Sequence, residues 1–375
     1  MIKLKETPEQ VEMAKAIGSK DPAVSRPAAE AFAAAIGPVI QEVLNHAGTS
    51  PLIYNDYAFN EDDNQSIPLD LFYNEAVDYI KIWSASPIAG GLPTSEIAGV
   101  AEMKFSTYEL EGEVSFLKKY ARKHYLNVLS AAVERLTNET LVKQELQAWA
   151  VLLKALGEAA STTTNSTTTS KHTIAAGVAG VFKLDDLNRL LTLSKRINHS
   201  YANGTPTAPF SRGVTDLFVS AEIKEDIRAF AYNPMNTTAV PNTDESTALG
   251  LPDQVRQEIY RNVGTSSLYD VNITDLNELG VNQIYNQLFA LYASGNIAPG
   301  TTTFVPATHE LLFGADLSKR NAALRPVAVD AYVGSSVNVN VDDQWRVRED
   351  KQGFWLKLKE GRLVLDSRAF LGIVV

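Results

Sequence analysis

The side chains that most often do chemistry in proteins are scattered through this chain of 375 residues. Its five histidines are His46, His124, His172, His199 and His309, and no two stand at the i,i+4 spacing that puts a pair of imidazoles on one helix face for a metal. His309-Glu310 has the opening of a zinc helix, but Phe313 occupies the position of the second histidine. Glu61-Asp62-Asp63 carries charge enough for a hard cation. It lacks the alternating ligands and the downstream bidentate glutamate of a calcium loop, so it reads as a solvated loop face. Asp185-Asp186 opens a helix, where negative charge is favoured, and Asp342-Asp343 reads as a turn. Glu222 and Asp226 stand at i,i+4 on one helix, a pair that could serve a hydrolase but fits a solvated face better. The sequence has no phosphate loop, no dinucleotide-binding glycine motif after a strand and no Gly-x-Ser-x-Gly elbow. Without cysteine it forms neither disulfides nor thiolate zinc sites. No catalytic residue, metal or cofactor is expected.

The densest cationic run is Lys118-Lys119-Tyr120-Ala121-Arg122-Lys123-His124. With Tyr120 and Tyr125 to stack on bases it could touch nucleic acid. In a chain of net charge −10, pairing with acidic residues of the same or another chain is the better reading. That charge argues against a dedicated nucleic-acid binder and suits a protein that must stay soluble, or one that encloses nucleic acid without gripping it. The start, MIKLKETPEQ, lacks the apolar segment of a signal peptide, and there is no run of about 18 apolar residues to span a membrane. The Asn-x-Ser/Thr triplets at Asn64, Asn165, Asn203 and Asn272 are therefore read as chance.

The elements that would position these residues are organised around Asn127–Ala160, a stretch dense in helix formers, free of proline and with Gly157 as its only glycine. Unbroken, it would be roughly 50 Å long. Its apolar positions form two faces: Leu129, Val133 and Leu136 on one, and Val142, Leu146, Trp149, Leu153 and Leu156 well round from it. Either the helix breaks at Thr137-Asn138 or one long helix rests on different partners along its length. The second is favoured, with Glu139 and Lys143 paired across the proposed break.

Before this helix, residues 1–50 read as an alanine-rich helical arm that lies on something else. Residues 51–126 read as a long two-stranded β-hairpin, with one strand at Val77–Trp83, a glycine- and proline-rich turn at 84–94, and a second strand from about Ala101 that alternates through Phe116. After the helix, Ser161–Ser170 is a polar loop, Lys183–Ile197 an amphipathic helix, and Asp216–Phe230 a strand turning into a helix capped by Ser220. A short helix is expected near Pro252–Asn262, strands at Ser267–Ile273 and Thr301–Pro306, a helix at Asn282–Tyr292, and a β-rich end from Val327. The class is α+β, with strands far apart in sequence forced to pair.

Three stretches carry a family resemblance: EVSFLKKYARK (Glu113–Lys123), DLFVSAEIKEDIRAF (Asp216–Phe230) and the tail Asp342–Val375 with Gly353-Phe354-Trp355 and LDSRAFLGI. Together with the order of elements they resemble the major capsid proteins of tailed bacteriophages, the Hong Kong 97-type shell fold. The resemblance implies an N-terminal arm (1–50), an extended β-hairpin loop (51–126), a peripheral domain with spine helix (127–183), an axial domain (184–326) and closing strands of both domains (327–375). It further implies hexamers and pentamers in an icosahedral shell around double-stranded DNA, with a portal, a separate scaffolding protein or a processed subunit, and a cement protein as partners. Subunit contacts are expected at Lys81, Trp83, Gly90, Gly91, Lys104 and Phe105 of the loop and at Lys118, Lys119, Arg122 and Lys123 of the cationic run. Some family members form lysine–asparagine cross-links. Lys81 and Lys104 lie on strands here, with no matching acceptor, so non-covalent cohesion is expected. An encapsulin-like compartment shell shares the fold and is the alternative, followed by an enzyme of unrecognised type.

Overall fold

Alternating apolar and charged side chains make Thr107–Leu117 one long strand, β4, and the C-terminal run Lys351–Gly361 a second, β15. They pair antiparallel over their whole length, from Lys351 opposite Leu117 to Gly361 opposite Thr107. The computed structural model describes residues 7–60, 64–68, 102–123, 126–162, 169–197, 213–230, 267–293, 296–298, 303–318, 322–329, 336–342 and 350–375. These fall into two units, and β4 and β15 belong to the first, bounded by Met1–Gln65, Lys104–Trp149 and Ala323–Leu363.

In the first unit's sheet, β1 (Asn55–Asn60) runs parallel to β13 (Ala323–Val329), which adjoins β15, which adjoins β14 (Val337–Asp342). The inward residues Phe116, Phe354, Leu356 and Leu358 form an apolar face. Helix α2 (Pro22–His46) covers it with Phe32, Ile36, Ile40 and Leu44, one residue per turn. The Phe354 ring lies 5.3 Å from Phe32 and 6.0 Å from Phe116. Burying each such side chain contributes about 1.5–3 kcal/mol. Thr7 caps the preceding helix α1 (Pro8–Ile17) and Asp21 caps α2, each followed directly by proline at the first helical position. In this region α2 packs on the sheet of the first unit, and its many alanines hide a regular stripe of large apolar residues.

The expected partner strand of β4, Val77–Trp83, lies outside the described residues, and β4 instead pairs with β15. A short ladder of β2 (Ser66–Pro68) with β3 (Glu102–Lys104) brings together the two points at which the chain leaves and re-enters the described residues. After β4 comes one short helix, α4 (Lys118–Arg122), and then α5, Leu126–Glu158, unbroken over 33 residues. Thr137 does not cap a new helix; its hydroxyl donates to Val133 O at 2.9 Å, and that of Thr140 donates to Leu136 O at 2.9 Å. The buried line runs Val133, Leu136, Thr140, Gln144, Ala148, Leu152, Leu156, with polar residues in its middle. Val142 is 64% exposed, and Glu139 pairs with Arg135 rather than with Lys143.

The second unit's described residues fall within Ser66–Met103, Ala150–Ala322 and Val364–Val375. Its sheet has the order β11 (Ile297–Ala298), β7 (Thr173–Ala175), β17 (Phe370–Val374), β12 (Leu311–Ala315), β8 (Asp216–Val219), β10 (Val271–Asp275), β9 (Ser267–Leu268). The C-terminal strand thus lies mid-sheet, antiparallel to β12 and parallel to β7. Helix α6 (Leu184–Ile197) buries Leu187, Leu190 and Ile197, and helix α7 (Ala221–Ala229), capped by Ser220, buries Ile223 and Ile227. The expected helix at Asn282–Tyr292 is α8, Ile284–Tyr292. Of the strand expected at Thr301–Pro306, the described residues 303–306 are not strand, Pro306 opening a turn, and the strand that follows is β12. Every residue of β12 is buried, so it lacks the alternation that marks a half-exposed strand. The helix expected at Pro252–Asn262 lies outside the described residues.

Gly372 in β17 faces α5 so closely that a Cβ would lie 2.9 Å from Leu156 Cδ2 and 3.3 Å from Leu311 Cδ1. Gly372→Val should destabilise the protein by about 1–3 kcal/mol through overpacking, read as a lowered midpoint in urea unfolding. An unchanged midpoint would mean that α5 does not pack on β17.

Candidate functional site

The inward-facing positions of β15 are apolar in its middle but end in Glu360, which is fully buried. Four donors converge on this carboxylate. The Tyr108 hydroxyl donates to Oε1 at 2.6 Å and Arg362 Nη2 to the same oxygen at 3.1 Å. Arg325 Nε donates to Oε2 at 2.8 Å and Gln144 Nε2 to that oxygen at 3.0 Å. Arg325 also reaches Asn45 Oδ1 at 3.1 Å and Asp56 Oδ1 at 3.4 Å, and the Arg362 guanidinium lies 5.2 Å above the Tyr54 ring. Burial, and then the Glu360 charge, push the Tyr108 phenol well above its ordinary range. Burial likewise raises Tyr54, whose hydroxyl donates to Ala148 O at 2.9 Å. Both oxygens of Glu360 are engaged and no water reaches them, so the cluster cannot abstract a proton or bind an ion. It clasps segments from across the first unit.

A second clasp of that unit uses the next residue of α5. Glu145 accepts from the Thr49 hydroxyl at 3.0 Å, from Ser50 N at 3.0 Å and from the Ser50 hydroxyl at 2.7 Å. Trp149 Nε1 donates to Thr49 Oγ1 at 2.9 Å.

Of the expected subunit contacts, Lys81, Trp83, Gly90 and Gly91 lie outside the described residues. Lys104, Lys119 and Lys123 are exposed. Phe105 is buried, its ring 5.3 Å from that of Phe59. Lys118 is 4% exposed, and Arg122 is committed within its own chain, donating to Asp350 Oδ2 at 2.6 Å and to Gly18 O at 2.8 Å. Within the described chain, Phe105 and Lys118 are thus buried, and Arg122 forms a partly exposed ion pair with Asp350. Lys119 lies over the Tyr120 ring at 5.1 Å.

The acidic pairs are structural as well. Glu61-Asp62-Asp63 and Asp343 lie outside the described residues. Asp186, read as solvated, is 2% exposed and accepts from Gly177 N at 2.8 Å and Lys183 N at 3.1 Å. Asp226 accepts from Phe182 N at 2.8 Å. Glu310 takes the Ser220 hydroxyl at 2.5 Å; burial raises its carboxyl, and Glu222 and Asp226 add to the rise, against the bond from Ser220. Among the described residues no group of three or more metal-ligating side chains is assembled.

No family model matches the sequence, and no curated protein does. Among solved structures, the chain is similar to that of Gordonia phage Cozz, at 15% identity over 86% of this chain and 85% of that one, with a TM-score of 0.43. It is similar to the capsid structure of cyanophage P-SCSP1u at 12% identity, covering 85% of each chain, with a TM-score of 0.47. It is also similar to the holo-encapsulin complex of Synechococcus elongatus PCC 7942, at 10% identity over 73% of this chain and 74% of that one, with a TM-score of 0.40.

The Glu360 cluster escaped the sequence reading, although a signal was present. Gln352, Phe354, Leu356, Leu358 and Glu360 share one parity of β15, so an acid at the end of a core-facing row had to be buried and paired. Glu360→Gln should cost about 3–5 kcal/mol in urea unfolding, because Arg325 and Arg362 stay buried without a carboxylate. The same change at exposed Glu30 should cost under about 0.5 kcal/mol. Equal costs would contradict the clasp.

His172 offers a pH test. It is fully buried in the second unit, and its Nδ1 lies 3.0 Å from Ser367 O and 3.2 Å from Phe370 O, so Nδ1 carries the proton and donates to both. Burial lowers its pKa from 6.5, so the folded state resists protonation. The unfolded chain then binds the extra proton, and stability held at neutral pH is lost as pH falls below the unfolded value. The loss should reach at most about 1.4 kcal/mol per pH unit. His172→Gln should remove that component from the pH dependence between 7 and 5, and an unchanged slope would refute it.

Proposed function

We propose that this chain is the major capsid protein of a tailed phage, a non-enzymatic subunit that assembles with its own copies into an icosahedral shell around double-stranded DNA. The observation that carries the reading is the passage of β4 through the short turn of α4 directly into a 33-residue helix, with β4 zipped along its length to the C-terminal β15. Glu113–Lys123, the first stretch that resembles the capsid family, is the junction of that passage. The second, Asp216–Phe230, is β8 followed by α7, and the third supplies β15, β16 (Leu363–Val364) and β17 to both units. The resemblance and the arrangement thus support each other at all three places.

The net charge of −10 suits a wall over which packaged DNA slides, since adhesion grows with the number of phosphates neutralised. The partners that follow from this reading are copies of the chain in hexamers and pentamers, a portal, a separate scaffolding protein and a cement protein. The protein would be assembled in the host bacterial cytoplasm and reside in the virion.

The test is expression of the full chain alone and with candidate scaffolds, followed by sedimentation velocity and negative-stain microscopy. Closed shells are expected. A protein that stays monomeric or dimeric under every condition would overturn the proposal, and shells filled with a cargo enzyme would replace it with the compartment reading.

A further inference from the structure

In the second unit two acidic side chains meet at one serine, and a third stands a turn away. Ser220 follows β8 and caps α7, its Oγ accepting from Ile223 N at 3.1 Å. The same hydroxyl gives its only proton to Glu310 Oε2, 2.5 Å away, just before β12. Gly280 bounds the place on another side. A Cβ there would lie 3.0 Å from Glu222 Oε2 and 3.5 Å from Ser220 Cβ, so the Glu222 carboxylate is held beside that serine. Asp226, one turn further along α7, is fixed by the bond from Phe182 N at 2.8 Å.

The neighbouring elements bring no cation to offset this charge. On α7, Lys224 is bonded to Asp275 of β10, Arg228 lies in the last turn and Glu225 is exposed. Glu278, before Gly280, is exposed as well, and from Gly280 to Thr308 the sequence has no Asp, Glu, Lys or Arg. His309 faces its own turn, its Nδ1 accepting from Val305 N at 2.9 Å. Val375 meets Glu310 through the backbone, each residue's N–H donating to the other's carbonyl. Among the described residues none of the three carboxylates is in a salt bridge. Like charges that share a site resist ionising together. Glu222 is exposed and Glu310 half-buried, so Glu310 is the one that gives way. Its burial and the two neighbouring charges raise its carboxyl, against the bond from Ser220.

We infer that Glu310 is a proton-operated latch, which takes up one proton as pH falls and thereby tightens the join between α7 and β12. The protonated carboxyl keeps a carbonyl oxygen for the Ser220 proton, so the bond survives while the repulsion from Glu222 and Asp226 disappears. With the folded titration above the unfolded one, the added stability is fully present below the unfolded value. It is lost as pH rises through the folded value. The sign is opposite to that of His172, so this unit carries two titrations that work against each other. The inference does not depend on what the chain assembles into.

The test compares the full-length wild type with Glu310→Gln, a permanently neutral side chain of the same shape, at matched pH values from 4 to 8. Amide hydrogen exchange over Ala221–Ala229 is the readout, and the comparison at each pH cancels His172 and the intrinsic exchange rate. At pH 4 the two proteins should exchange alike. By pH 8 the variant should exchange more slowly, by about tenfold for each pH unit that separates the folded and unfolded titrations of Glu310. Glu222→Gln should move the onset of the wild-type loss to lower pH if Glu310 is left ionising alone, because a neighbouring charge is gone. A ratio that stays constant with pH, or a variant that exchanges faster at pH 8, would mean that Glu310 is only a structural partner of Ser220 and would overturn the latch. An unmoved onset in Glu222→Gln would overturn it too.

Discussion

One buried carboxylate fixes the arrangement of the first unit. Taking Glu360 out of water costs several kcal/mol, which only dense hydrogen bonding can offset. Tyr108, Gln144, Arg325 and Arg362 supply that bonding, from β4, α5, β13 and the residue just past β15. The consequence is specificity of register. A one-residue slip of β15 would turn Glu360 out to solvent and drive Lys359 into the core, exchanging a satisfied ion for an unpaired one. The apolar row of Phe354, Leu356 and Leu358 resists the same slip through lost burial, so the polar and apolar constraints agree on a single alignment.

The tail is what each sheet waits for. β15 joins β4 to β14 in one unit, and β17 joins β7 to β12 in the other, so the stretch 351–374 completes both. Contacts this distant in sequence incur loop-closure entropy before they return any burial, which makes such topologies slow to fold. The N-terminal α2 depends on the same event, since Phe32 packs on Phe354.

Strong local periodicity was legible in the sequence. β4, α6, α7 and the strand–helix switch at Ser220 all follow from alternation, helical stripes and capping. The buried line of α5 was not, because Thr137, Thr140 and Gln144 interrupt it with polar atoms: the two hydroxyls bond carbonyls one turn back, and Gln144 Nε2 bonds Glu360. Read as hydrophobicity alone, one line looked like two faces. β12 was missed because a strand buried on both sides has no alternation to show. β1, NDYAFN, was missed because Asn and Asp disfavour strands, and its parallel pairing with β13 holds it there. The Glu360 cluster draws on positions from 45 to 362, a proximity that no local window of sequence contains.

The distribution of charge over the surface follows the same economy as the core. Among the described residues β4, a strand of eleven residues, pairs with β15, and charge along such a strand guards it against stray pairing. Glu109, Glu111 and Glu113 stand exposed along that strand, and Lys357, which lies 3.4 Å from Glu109 and 3.8 Å from Glu111, neutralises part of their repulsion within the sheet. A second strand approaching the edge would meet carboxylates that are already paired and hydrated, and would have to desolvate them. The second unit does the reverse, removing every formal charge from Gly280 to Thr308 while leaving Ile284 and Leu291 in water. Single exposed apolar residues are ordinary, and each costs some solubility. Charge is thus placed unevenly, dense along β4 and absent from Gly280–Thr308.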